Sequence, residues 1–303
     1  MPNAITRSEL LKRRLDRFTR VLDGLERGEV RALHRARVAS RRLRELVPML
    51  QLDRGVSKKL SRRLRRVTVR LGVVRELDVL ILLIDELHVS RRECTTALAR
   101  VAVVVSNDRD RARRKLFAHL PIAEMRRLAG KIARTIGDLQ LVESASSRSA
   151  ARSWREGVES RVVLRAARLA ATMEKAGALY LPERLHDVRI SLKKLRYAVE
   201  LSHEVTGRRA DADIRTLKRG QDLLGRMHDL QVLIDRVRQL QASLAPPNVA
   251  IWRDLDALMR MLEDDCRRLH ARYMRVREDI AEIAARLGAE RAPARPHAAR
   301  RAG

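Results

Sequence analysis

The segment LHRARVASRRLRELV (residues 33–47) carries His34, Arg37, Arg41 and Arg44. Steps of three and four put them on one side of a helix, within an arc of about 80° at 100° per residue. Guanidinium groups grip phosphate oxygens through two parallel hydrogen bonds. Helix positions three and four apart supply a cation roughly every 5–6 Å. Such a row suits a polyanion. A histidine among the arginines adds a group whose charge changes near neutral pH. Neighbouring arginines lower its pKa in the empty protein, and a bound anion raises it.

The row occurs twice. LHDVRISLKKLRYAV (residues 185–199) repeats it as His186, Arg189, Lys193 and Arg196. In the first copy Ala36, Leu43, Val47 and Leu50 fall on the opposite side of the wheel; in the second Val188, Leu195 and Val199 do so. Both segments therefore read as amphipathic helices with a uniformly basic polar face. Like charges four apart repel by about 0.2–0.5 kcal/mol per pair, and no Asp or Glu interrupts either row to relieve it. A second pair of segments follows in the same order: LGVVRELDVLI (71–81) matches LGRMHDLQVLI (224–234), with Arg66 matching Arg219 upstream. The helix before Gly72 carries Lys59, Arg62, Arg63, Arg66 and Arg70 on one side, and its counterpart offers Arg215, Arg219 and Arg226. Two ordered matches at nearly equal offset indicate an internal duplication. Gly72 and Gly225, each costing about 1 kcal/mol in a helix relative to Ala, suggest a bend or a close helix approach.

The elements that must position these residues are helices throughout. Apolar residues recur three and four apart over long windows, as in ELLKRRLDRFTRVLDGL and IWRDLDALMRMLEDDCRRLHARYMRV. Gly, Pro and Ser mark breaks near residues 24–28, 53–57, 121, 143–150, 177–182, 207 and 246–247. The pattern predicts helices over 5–26, 29–51, 56–88, 91–140, 151–177, 182–206, 210–242 and 248–287. The expectation is an all-α protein of two tandem four-helix bundles with long antiparallel helices. Residues 1–143 form the first repeat, 144–288 the second, and 289–303 a disordered basic tail.

Composition supports a packed, charged protein. Of 303 residues 45% are hydrophobic, 2% aromatic and 34% charged, with 66 Lys+Arg against 38 Asp+Glu and a net charge of +28. Such an excess predicts polyanionic partners and salt-sensitive association. Cys94 and Cys266 read as small core residues. Trp154, Trp252, Phe18, Phe117 and Tyr273 read as bundle packing, and Tyr197 as a rim residue that can touch ligand. No signal peptide or membrane span is expected, which places the protein in the cytoplasm. Glu76 and Asp78 read as surface pairs or partners of nearby arginines. The histidines outside the repeats lack ligand spacing, and no nucleophile–base set or glycine-rich phosphate loop stands out. No metal and no cofactor are therefore expected.

The motif His-x-x-Arg-x-x-x-Arg/Lys-Arg/Lys-Leu-Arg, followed by Leu-Gly-x-x-x-Asp/Glu-Leu-x-Val-Leu and duplicated in a helical chain, resembles the CHAD (conserved histidine α-helical domain) family. The resemblance spans about residues 5–287. It implies two four-helix bundles related by a pseudo-twofold, with basic faces lining a channel or groove that binds inorganic polyphosphate. By position, His34, Arg37, Arg41, Arg44, His186, Arg189, Lys193 and Arg196 would face the polymer, joined by Arg66 and Arg219. His228 and Gln231 depart from Arg75 and Asp78 of the first copy. The Glu-x-Glu-x-Lys motif of the CYTH domains found in some relatives is absent, so a free-standing module is expected.

The function expected is non-catalytic polyphosphate binding, with association to polyphosphate granules. A nonspecific nucleic-acid-binding protein is the alternative, favoured by charge and opposed by scarce aromatics. A phosphohydrolase acting on polyphosphate comes third. The oligomeric state is not legible.

Overall fold

The computed structural model describes residues 5–145, 148–244 and 248–289. Among them the regular elements are helices, with no strand. These are α1 (Arg7–Thr19), α2 (Leu22–Glu26), α3 (Val30–Leu46), α4 (Arg54–Ser90), α5 (Thr95–His119) and α6 (Ile122–Ala145). They continue with α7 (Arg148–Ala176), α8 (Pro182–Thr206), α9 (Asp211–Ala242) and α10 (Val249–Ala289). The expected all-α class is what the chain adopts. The Pro246–Pro247 break and the expected tail beyond Ala289 lie outside the described residues.

Local chemistry sets the helix ends. The Thr6 hydroxyl caps α1 by accepting from the Glu9 N–H at 3.1 Å, and Asp53 caps α4 by accepting from Gly55 and Val56 at 2.8 and 3.0 Å. Pro182 opens α8 with a fixed φ, and Gly207 closes it at φ +70°. The single helix expected over 91–140 is two helices, α5 and α6. Pro121 drives the residue before it out of the helical region, and Leu120 sits at φ −143°, ψ 71°. The helix expected over 5–26 is likewise interrupted after Thr19.

The chain divides into two compact units: residues 1–154 with 226–269, and residues 155–225 with 270–303. In the first, α3 packs on α1 and α4, α4 on α5, and α6 against α1 and α4. Its core is aliphatic, with Leu10, Leu11, Leu25, Leu43, Leu64 and Leu71 at 0% exposure and Phe18 equally closed off. Each such leucine contributes roughly 1.5–3 kcal/mol by leaving water. The buried hydroxyls of Ser40 and Thr68 meet at 3.2 Å and fix the register of α3 on α4. The later segments join this unit through ion pairs: Arg226 grips Glu86 with two bonds of 2.9 and 2.7 Å, and Arg91 reaches Asp265 at 3.2 Å.

The second unit draws on α7, α8, the start of α9 and the end of α10. Leu169, Leu192, Leu195, Leu217 and Ile280 form its closed core, with Tyr273 at 1% exposure. Burial pushes the Tyr273 phenol up to about 12. Arg277 donates to the Met173 carbonyl at 3.2 Å, and Arg286 pairs with Asp213 at 2.7 Å.

Cys94 and Cys266 are buried core thiols, as expected. Trp154 is buried, but Trp252 is 50% exposed and does not pack as expected. No helix among the described residues is long and apolar enough to cross a membrane.

Candidate anion-binding site

On α3 the residues Ala32, Ala36, Ala39, Leu43 and Leu46 turn inward. This leaves His34, Arg37, Arg41 and Arg44 along the open side. His34 is exposed; the three arginines are half-buried, their stems lying on the protein and their heads reaching outward. On α8 Leu185, Val188, Leu192, Leu195 and Val199 turn inward, and His186, Arg189, Lys193 and Arg196 are all half-buried. Each row thus stands on one unit, braced by an apolar face beneath it.

One arginine of each row lies over a helix glycine. A methyl group added to Gly72 would stand 3.5 Å from Arg37 Nε and 3.9 Å from its Nη2. One added to Gly225 would stand 3.9 Å from Arg189 Nε. In both places a guanidinium, rather than a neighbouring backbone, lies across the glycine. The same pair of residue types meets in the same way in each unit.

His34 has its pKa lowered below the usual 6.5. Loss of surrounding water is the first cause, followed by the charges of Arg75, Arg37 and Arg41. Arg75 comes from α4, so two helices supply the cations around this imidazole. Sequence spacing finds Arg37 and Arg41 but leaves Arg75 undecided, because its partner is on another helix. Beneath Arg75 lies Asp78, only 5% exposed rather than on the surface. Desolvation raises its pKa, while Arg75, Arg109 and Arg113 pull the other way. Its Oδ2 has no hydrogen-bond partner among the described residues.

The fourth positions differ between the copies. Arg44 has Glu45 beside it at 3.4 Å. Arg196 is more deeply committed: its side chain is 12% exposed, its Nε donates to Gln221 at 3.0 Å and its Nη1 pairs with Glu200. Its guanidinium also lies 4.7 Å from the centre of the Tyr197 ring. Tyr197 therefore supports Arg196 directly.

Arg66 and Arg219 are both exposed, and Arg66 is placed apart from the row of α3. Arg66 points toward α6 and meets Glu124 at 3.4 Å, about 120° around α4 from Gly72 at 100° per residue. It is not on the side of α4 where Arg37 lies. Arg226, expected beside Arg219, is engaged with Glu86. Around Arg66 the structure brings up Arg127 and Lys131 from α6. Their spacing of four is visible in the chain, but nothing in the sequence pairs that helix with α4.

A family model described as CHAD domain matches residues 9–238. No curated protein sequence matches the chain. Among solved structures, the crystal structure of the CHAD domain from the plant Ricinus communis is similar with a TM-score of 0.57 and 22% identity, covering 97% of this chain and 96% of that one. PptA from Streptomyces chartreusis is similar with a TM-score of 0.55 and 19% identity, covering 94% and 96%. The structures establish a shared fold, and the family model covers most of the chain together with both histidine–arginine segments. The chain belongs to the CHAD domain family.

Proposed function

We propose that this protein binds inorganic polyphosphate through the cation rows of α3 and α8, without catalysing a reaction on it. The observation that carries this reading is the recurrence, in each unit, of an arginine lying across a helix glycine, three residues after the histidine of the same basic row. Holding a guanidinium in place before the ligand arrives lowers the entropy lost on binding. A row of such groups matches a polymer of about one charge per unit that offers no bases to read. Aromatics at 2% of the chain leave few stacking platforms for single-stranded nucleic acid. Attachment to polyphosphate granules would follow from the same surface.

The equilibrium affinity for long-chain polyphosphate, measured from about pH 8 to 6, tests this. His34 titrates below its ordinary value in the empty protein, and phosphate favours the imidazolium. Binding then takes up protons, so affinity rises as pH falls and levels off below the empty-protein pKa. His34→Ala/His186→Ala should flatten the profile. Absence of polyphosphate binding at any pH overturns the function, and a flat wild-type profile removes the histidines from it.

A further inference from the structure

Between α4 and α6, within the first unit, lies a cavity of about 310 Å³. Arg62, Arg63 and Arg66 reach it from α4, and Arg127 and Lys131 from α6. Glu124 is the one carboxylate on its lining. We infer that this groove is a second anion site, separate from the rows of α3 and α8, that takes a short condensed phosphate such as tripolyphosphate.

Three features support this. First, five cations share one acid, and the Arg66–Glu124 contact, at 3.4 Å with side chains 54% and 36% exposed, is weak. A compact ligand with several negative charges would relieve the repulsion across the groove. Second, the cations stand on a fixed floor. Val67 and Leu128, both 3% exposed, close its base where α4 packs on α6, so the facing rows are spaced before a ligand arrives. Third, the volume is at the small end of ligand cavities, which suits a few phosphate units rather than a long polymer. Arginine and lysine together suit terminal and bridging phosphate oxygens. The inference stands apart from the proposal for the rows, because Arg66 and Gly72 occupy different sides of α4.

Calorimetry with inorganic tripolyphosphate on the full chain is the test, with long-chain polyphosphate measured in parallel. Arg127→Ala/Lys131→Ala, both exposed positions, should weaken tripolyphosphate at least tenfold and change long-chain affinity less than threefold. Glu124→Gln, which removes the competing carboxylate, should tighten tripolyphosphate several-fold. Arg168→Ala/Arg272→Ala, which removes two exposed cations from the second unit, should leave it within twofold. The inference is overturned if wild type does not bind tripolyphosphate, if the groove variant binds it unchanged, or if the control pair weakens it equally. It is also overturned if the groove variant weakens both ligands alike. Loss of long-chain binding in the row variants, with tripolyphosphate binding kept, supports it.

Discussion

Replacing His34, Arg37, His186 and Arg189 together with alanine is expected to weaken long-chain polyphosphate binding by about 100-fold or more. A hydrogen bond to a charged group contributes about 1.5–3 kcal/mol, and every 1.4 kcal/mol is tenfold in affinity. Two arginines alone therefore account for the expected loss, with the histidines adding to it at lower pH. The slope of log affinity against log salt should also become shallower, by about 0.7 for each phosphate that the variant no longer neutralises, taking the value for single-stranded nucleic acid. The fold should survive, because His34 is exposed, the other three are half-buried and none belongs to the aliphatic core. Circular dichroism and the thermal midpoint check that. An affinity within threefold of wild type in a folded variant would move the binding surface elsewhere.

A large side chain at the two glycines should reduce affinity although no cation is replaced, whereas a small one should not. A methyl group at Gly72 or Gly225 meets Arg37 or Arg189 only at ordinary contact distance, 3.5 and 3.9 Å. Gly72→Ala/Gly225→Ala should therefore keep affinity within about twofold and raise stability, by up to about 1 kcal/mol per site from helix propensity. Gly72→Leu/Gly225→Leu places a larger side chain where each guanidinium lies. It should weaken polyphosphate about tenfold or more while the thermal midpoint holds or rises. That divergence separates positioning from packing. If the leucine variant loses stability and affinity together, the glycines serve the helix interface; if it loses neither, the arginines do not depend on their seats.

Much of this site is legible in the chain because helix periodicity converts residue spacing directly into a face. His34, Arg37, Arg41 and Arg44 oppose Ala36 and Leu43 by arithmetic, and α3 buries those two residues. What spacing within one segment does not carry is which helices meet. Gly72 suggests a close approach, but that Arg37 is the approaching group requires α3 to be placed on α4. The same gap hides Arg75 beside His34, the burial of Asp78, and the commitment of Arg196 to Glu200 and Gln221. The break between α5 and α6 is marked by Pro121, yet the strong periodicity on both sides favours one long helix. The repeat with Arg219 groups Arg66 with the rows, whereas packing turns it toward Glu124 and the α6 groove.

With a net charge of +28, any polyanion is attracted at low salt, so affinity alone does not separate polyphosphate from nucleic acid. Competition at near-physiological salt does. Protein loaded with labelled long-chain polyphosphate is titrated with duplex DNA at matched phosphate concentration. Cation rows fitted to a linear phosphate chain should retain the label until DNA is present in at least tenfold excess. Release of the label at equal phosphate would contradict polyphosphate recognition.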